Sequence, residues 1–346
     1  MLLHKGGDTS DRPSDWRPIG LLNVGIQLIH HVINYRLTTI AEAENLIVPG
    51  QDGGRAGRGV DLDQLKLDWI TSEAQRLKQR IIRIDIDFKN AFNSMSQSAL
   101  WAVMRAYNLP DIDLLEAIYS RTTACMDPED ARCATITFLT GVIQGGASSP
   151  RISVVFINAL LEHLTCTGQA LGISHGIAET EQFNTVAFMD DITALAQDNA
   201  GAQILLNATQ EFEAWSNTRL NLSKTVVIDI DGGSGEVDPP HLTYNQQAVK
   251  IFQATESCRH LVFWETPNGN MAVIKHRVAR ENERGIRAPY ASPPGNKDSQ
   301  GTLPEHGGKC VPLFLCSGAM EPSRTRPTPG IMGSILQGHP STCIIS

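Results

Sequence analysis

Long apolar runs are missing from this chain. No stretch of its 346 residues is hydrophobic over the roughly 20 residues that a membrane-spanning helix needs. The N-terminal segment MLLHKGGDTSDRP also lacks an apolar core of signal-peptide length. We therefore expect a soluble protein with no membrane partner.

Cysteine pairs at metal-binding spacing are missing as well. The seven cysteines are scattered and odd in number, none forms a C-x-x-C pair, and no histidine lies at zinc-finger spacing from them. This pattern is typical of reduced thiols in an intracellular protein, and it does not distinguish cytoplasm from nucleus.

The chain also has no excess of positive charge. Its 29 lysines and arginines are outnumbered by 37 acidic residues, which gives a formal net charge of -8. Any contact with nucleic acid must therefore come from local basic patches. With 41% hydrophobic residues, the chain can form a substantial core and more than one domain.

The order of predicted elements indicates an α+β fold. Apolar periodicity predicts helices from about Leu22 to Ile40 and at 61–80, 100–107, 111–121, 148–164 and 201–217. Alternation of apolar and polar residues predicts strands at 81–88, 133–141 and 225–231, and a hairpin at 185–195. This order predicts a small, mainly antiparallel sheet with helices on one face, leaving the other face open for chemistry.

Three segments carry more specific expectations. In the helix at 61–80, the side chains expected to face inward are Leu62, Leu65, Trp69 and Leu77. The segment VPGQDGGRAGRG, residues 48–59, is predicted to be a flexible glycine-rich linker. Beyond about residue 285, half of the 18 prolines occur with little periodicity, which indicates a poorly ordered tail.

The segment TVAFMDDITAL, residues 185–195, places two adjacent carboxylates inside an apolar run. Burying charge of one sign without a partner is unfavourable, so Asp190 and Asp191 need a countercharge. Asp87 ends the strand at 81–88, and it would meet Asp190 if the two strands are neighbours. Two Mg²⁺ ions, or Mn²⁺, would then supply the countercharge and support phosphoryl transfer. Because successive strand residues point to opposite faces, we expect Asp190 to be the direct ligand and Asp191 a weaker one.

Simpler interpretations remain open when each residue is taken alone. An Asp-Asp pair is common in a solvated hairpin turn. Asp87 could form an ordinary surface ion pair with Arg83, and Asp85 fits that interpretation better still.

Five motifs in order resemble those of reverse transcriptases, especially the non-LTR (LINE-like) retrotransposon type. They are HKGGD…DWRPIGLLN (4–23), DFKNAFNS (87–94), GVIQGGASSP (141–150), FMDD (188–191) and NLSKT (221–225). The resemblance covers roughly residues 1–265. It implies a polymerase palm plus partial fingers, with partial fingers at 1–80, the palm at 81–265 and the poorly ordered tail at 266–346.

The resemblance also implies a role for each matching residue. Asp87, Asp190 and Asp191 would be the metal ligands, and Lys224 would protonate the leaving pyrophosphate. Lys5 and Arg17 would contact the triphosphate, Phe92 would exclude a 2′-hydroxyl, and Gln144 and Gly145 would lie beside the nucleotide.

The expected function is therefore that of an RNA-directed DNA polymerase that adds dNTPs to a DNA primer on an RNA template. Three alternatives stay open. The first is a catalytically inactive retroelement remnant that binds RNA or a protein, and the second is an RNA-dependent RNA polymerase palm, against which Phe92 argues. The third is an acidic structural protein with no nucleic-acid role. The oligomeric state does not follow from the sequence.

Overall fold

The structure is a computed structural model that describes residues 2–4, 16–124, 136–170, 175–178, 181–230, 240–252, 258–260 and 263–265. Its helices are α1 (Val24–Ala43), α2 (Val60–Leu77), α3 (Ala91–Ser94), α4 (Gln97–Ala106), α5 (Ile112–Arg121), α6 (Ser149–Ala170) and α7 (Asn199–Ser216). Its strands are β1 (Leu2–His4), β2 (Trp16–Pro18), β3 (Ile81–Ile86), β4 (Thr123–Ala124), β5 (Ile136–Thr137), β6 (His175–Ala178), β7 (Glu181–Phe183), β8 (Thr185–Phe188), β9 (Asp191–Ala196), β10 (Val226–Ile230), β11 (Thr243–Tyr244), β12 (Gln247–Ala248), β13 (Lys250–Phe252), β14 (Cys258–His260) and β15 (Phe263–Glu265).

The central sheet has five strands in the order β13-β10-β3-β9-β8. All neighbours run antiparallel except β10 and β13, which are parallel. The α+β class with a small, mainly antiparallel sheet is thus confirmed. Of the predicted strand at 133–141, only Ile136–Thr137 is a strand, and 133–135 lie outside the described residues, as does the predicted tail at 266–346.

Helices α6 and α7 cover one face of this sheet and form the main core with it. The sheet contributes alternate residues such as Ile82 and Ile84, and the helices contribute Phe156 and Phe212, whose ring centroids are 5.4 Å apart. Side-chain caps fix where the helices begin: Asp198 Oδ1 accepts from the Gly201 N–H at 2.7 Å at the start of α7.

Among the described residues, no helix is both long and apolar enough to cross a membrane.

Helix α2 packs on the opposite face of the sheet, which the sequence had indicated to be open. Leu67 and Ile70 of α2 are buried against Val186 and Leu195. Leu65 and Leu77, which were predicted to face inward, are 63% and 46% exposed, so this prediction was wrong. The reason is that α2 also buries the polar residues Asp63, Gln64 and Lys66, which an apolar-stripe argument does not count as core.

The first half of the segment at 48–59 is packed against the sheet, so its prediction as a flexible linker was wrong for residues 48–53. Gln51 and Asp52 have no exposed surface. The Ala187 N–H donates to Gly50 O at 2.8 Å and the Asp52 N–H donates to Ala187 O at 2.9 Å, which adds this segment to the free edge of β8. The Asp52 carboxylate accepts from Lys66 Nζ at 2.7 Å and from Arg58 Nη1 at 2.9 Å. Gly50 and Gly53 therefore serve close packing here.

Two alanine substitutions test whether Gly50 is packed against β8. A Cβ on Gly50 would lie 2.1 Å from the Thr185 carbonyl oxygen, whereas a Cβ on Gly57 would meet nothing within 4 Å. We expect Gly50→Ala to lower the free energy of unfolding by about 3 kcal/mol, because backbone must move. Gly57→Ala should cost only about 1 kcal/mol, because Gly57 has a left-handed φ of +72°, which a residue with a Cβ adopts less readily. Urea denaturation measures both changes in the free energy of unfolding. A loss for Gly50→Ala as small as that for Gly57→Ala would contradict the close packing of Gly50.

Candidate active site

Strand pairing brings the three predicted aspartates to one end of the sheet. Strand β3 pairs with β9 so that Ile86 lies opposite Ile192, and the next step in this register places Asp87 opposite Asp191. Phe188 pairs with Asp191, so Met189 and Asp190 form the two-residue turn of the β8–β9 hairpin. The prediction that Asp190 lies at the tip of a hairpin beside the strand of Asp87 is therefore matched by the geometry.

The segment 219–225 holds the backbone of Asp87. The Asn221 N–H donates to Asp87 O at 2.7 Å, and the Asp87 N–H donates to Thr225 Oγ1 at 3.3 Å. The exposed Lys224 ammonium then lies 3.7 Å from Asp87 Oδ1. The other carboxylate oxygen, Oδ2, is buried and has no hydrogen-bond partner. A buried carboxylate oxygen without a partner is unfavourable unless a ligand completes the site.

Asp190 has the electrostatics of a carboxylate held beside another one. Burial raises its pKa above the ordinary value, a hydrogen bond from its own backbone amide lowers it, and the nearby Asp87 charge raises it again. Arg17 and Lys224 are close enough to lower the pKa of Asp190 in part. The two acids and the two cations thus share one site. Asp191 is exposed at the start of β9.

The ion pair between Asp87 and Arg83 that the sequence left open does not form. Arg83 Nε donates to Asp85 Oδ1 at 2.8 Å, and Thr193 Oγ1 donates to the same oxygen at 2.7 Å. Asp85 is therefore part of a buried structural pair, in agreement with the simpler interpretation of this residue.

The segment that follows Arg17 is joined to the Gln144–Gly145 loop through the backbone of Gly20. The Gly20 N–H donates to Gln144 O at 2.6 Å. Gly145 has a φ of +111°, and a Cβ there would lie 2.3 Å from the Gly20 carbonyl oxygen, so this position requires glycine. Arg17 itself is exposed on β2, as a contact to a ligand would require. Lys5 lies outside the described residues.

Phe92 lies in the short helix α3, five residues after Asp87. Its side chain is partly buried against the main core. Its carbonyl oxygen accepts from the Val142 N–H at 2.8 Å, which ties α3 to the segment that leads to Gln144. The side chain is thus packed on one side and partly exposed on the other.

The donor chemistry of the site suits a hard divalent cation. In the described part of the chain, no group of three or more His, Cys, Asp or Glu side chains lies close enough to hold a metal ion. Mg²⁺, however, is commonly held by one or two carboxylates, with water and substrate phosphates as the remaining ligands. The unpartnered Asp87 Oδ2 and the adjacent Asp190 carboxylate meet this requirement.

Three polar side chains next to the site were not predicted from the sequence, and two of them, His30 and Gln51, are fully buried. Gln27 donates through Nε2 to Gly145 O at 2.7 Å and accepts through Oε1 from the Ala147 N–H at 3.2 Å. His30 Nδ1 lies 2.6 Å from Ser148 Oγ, and burial, with a smaller effect of His31, lowers the pKa of His30. Gln51 contacts the turn at Met189. Only Gln51 had a local signal, since glycines at 50 and 53 permit close approach.

A comparison with protein families finds that residues 3–260 match the reverse transcriptase (RNA-dependent DNA polymerase) family. The chain is 25% identical over 267 residues to the Retrovirus-related Pol polyprotein from type-1 retrotransposable element R2 of Popillia japonica, covering 75% of this chain and 36% of that protein. It is 25% identical over 226 residues to the polyprotein from type-2 retrotransposable element R2DM of Drosophila melanogaster, covering 65% and 20%. The chain thus spans about a third or less of these relatives.

Among solved structures, apo telomerase from Candida tropicalis resembles the chain with a TM-score of 0.46 at 10% identity, covering 70% of this chain and 39% of that one. The resemblance to non-LTR retrotransposon reverse transcriptases is confirmed by the family match and by the R2 relatives. Because the match extends over well more than half of its residues, this chain belongs to the reverse transcriptase (RNA-dependent DNA polymerase) family.

Proposed function

We propose that this chain is a polymerase domain that adds dNTPs to the 3′ end of a DNA primer on an RNA template. The observation that carries the proposal is the convergence of Asp87 and Asp190, which follows from the β3–β9 pairing and the β8–β9 hairpin. The names of the R2 relatives, which are Pol polyproteins of retrotransposable elements, support the same activity. We assign residues 1–80 to partial fingers, 81–265 to the palm and 266–346 to a tail outside the catalytic domain.

Reverse transcriptases use divalent metal ions. We assign two Mg²⁺ ions, replaceable by Mn²⁺, to Asp87 and Asp190, with Asp191 as a weaker ligand. When bound, such a pair of ions stabilises the attacking and leaving oxygens of the phosphoryl transfer. The chain's own contribution is to hold two carboxylates close together in spite of their repulsion, so that the site is complementary to positive charge.

The cations around the carboxylates account for the remaining chemistry. The Arg17 guanidinium can bind phosphate oxygens through two nitrogens and would hold the triphosphate together with Lys5. The Lys224 ammonium, which is exposed and close to Asp87, carries a proton that it would deliver to the leaving pyrophosphate. Gln144 and Gly145 would line the nucleotide pocket, and Phe92 would lie under the sugar.

Removal of either carboxylate tests the assignment directly. We expect Asp87→Asn and Asp190→Asn each to reduce the rate of primer extension about a thousandfold, which corresponds to about 4 kcal/mol of transition-state stabilisation. The control is Asp113→Asn, which makes the same charge change at a side chain that is 96% exposed on α5. Extension on an RNA template with Mg²⁺ and dNTPs is the readout. Full extension by both site variants would contradict the assignment of the two carboxylates, whereas a wild type that binds RNA without metal-dependent extension would indicate an inactive remnant.

The raised pKa of Asp190 predicts a stabilising effect of its removal. Folding raises this pKa, so the ionised form destabilises the folded state at neutral pH. We expect Asp190→Asn to raise the melting temperature in EDTA at pH 7.5. This gain in melting temperature should disappear at a pH below about 3.9, the ordinary aspartate pKa, because Asp190 is then protonated in both the folded and the unfolded wild type. Saturating Mg²⁺ should reduce the difference in melting temperature between the variant and the wild type, because it stabilises only the wild type. A variant that melts lower than wild type in EDTA would contradict this.

Phe92 provides a test of sugar selection. We expect Phe92→Ala to increase rNTP use relative to dNTP use by about 100-fold, measured as the ratio of the two kcat/KM values, because the space for a 2′-hydroxyl opens. Phe138→Ala is the matched control, since Phe138 is also partly buried against the main core. Equal use of both nucleotides by the wild type would favour an RNA-dependent RNA polymerase instead.

A further inference from the structure

The turn that carries Asp190 has an unusual backbone. Met189 is the first residue of the two-residue turn and has a φ of +61°. Two-residue hairpin turns of this kind favour glycine at such a position, because a Cβ is disfavoured there. A methionine holds this conformation only where the surroundings impose it. Contacts to Met189 therefore determine how Asp190 is presented.

The side-chain amide of Gln51 contacts both backbone polar groups of Met189. Gln51 Oε1 accepts from the Met189 N–H at 2.9 Å, and Gln51 Nε2 donates to Met189 O at 2.9 Å. These two groups belong to the peptide units on either side of the Met189 Cα, so one amide restrains both of its dihedral angles. The second of these peptide units also contains the backbone nitrogen of Asp190. Gln51 is fully buried, so water does not compete for these bonds.

Gln51 is itself held in place by its neighbours. Its Oε1 also accepts from the Gly53 N–H at 2.8 Å. The backbone on either side of it is bonded to Ala187 of β8, and the adjacent Asp52 carboxylate is anchored by Lys66 and Arg58. A Cβ on Gly53 would lie 2.1 Å from the Met189 nitrogen, so the close approach depends on glycine. The amide is thus preorganised against the turn.

We propose that Gln51 is a positioning residue, which fixes the Met189 peptide units so that Asp190 meets Asp87 at the cation site. The inference rests on the proposed function for its metal readout, although the contact with the turn stands by itself. The uncharged amide suits this position, because it supplies a donor and an acceptor without adding charge beside two carboxylates. Loss of such support to a metal ligand typically reduces metal affinity 10- to 100-fold.

Gln51→Met removes the amide while keeping the side-chain length. We expect it to raise the Mn²⁺ concentration for half occupancy at least about tenfold, measured by electron paramagnetic resonance of free Mn²⁺. Amide hydrogen exchange in the peptide 185–195 should accelerate as well. The matched control is Gln64→Met: Gln64 is also buried, but its amide donates to Asp68 within α2, away from the turn. It should change neither quantity more than twofold.

Gln51→Glu is nearly isosteric and tests the donated bond alone. Its carboxylate can keep the bonds from the Met189 and Gly53 amides, but it faces Met189 O with an acceptor in place of a donor. Protonation restores the donor. The Mn²⁺ affinity of this variant relative to wild type should therefore recover as the pH falls from 8 to 6, whereas the Gln51→Met ratio should stay constant.

The outcomes separate the two proposals. Wild-type protein that binds no Mn²⁺ and extends no primer would overturn the polymerase proposal, and hydrogen exchange alone would then decide the effect of Gln51 on the turn. Unchanged exchange at 185–195 in Gln51→Met, together with unchanged Mn²⁺ affinity where the wild type binds Mn²⁺, would overturn the positioning role.

Discussion

The burial of the Asp190 carboxylate beside that of Asp87 is the constraint on which the site depends. Asp190 is buried enough, and close enough to Asp87, that its pKa is raised in spite of Arg17 and Lys224. This arrangement is unfavourable for the isolated chain, and it persists because the β3–β9 pairing and the β8–β9 hairpin fix both backbones. The rest of the fold supplies the burial that makes this backbone rigid.

Neutral amides support the loops around the carboxylates, and cations lie at their rim. Gln51 bonds to the turn at Met189, and Gln27 bonds to Gly145 and Ala147. Both supply directed hydrogen bonds without altering the net charge of the site. Lys224, by contrast, is exposed at 3.7 Å from Asp87, so its interaction is screened by solvent. This arrangement is the one that the proposed binding of divalent cations between the two carboxylates requires.

The sequence allowed the elements and the acidic residues to be predicted, because they depend on local patterns. Alternation in IIRIDIDF marked β3, and the apolar flanks of Asp190 and Asp191 marked the hairpin. The supporting contacts could not be predicted in this way. Gln51 and Met189 are 138 residues apart, and a glycine-rich segment looks the same in sequence whether it is a linker or packs against a strand. Leu65 and Leu77 were misplaced because Asp63 and Lys66, both charged, take buried positions on α2.

The most direct measurement is the anomalous diffraction of Mn²⁺ in crystals grown with a primer–template duplex and an incoming nucleotide. The account predicts an anomalous peak bridging Asp87 and Asp190, within about 2.2 Å of an oxygen of each carboxylate, as expected for a small hard cation. Crystals in which both carboxylates bind no ion while the nucleotide is in place would contradict it.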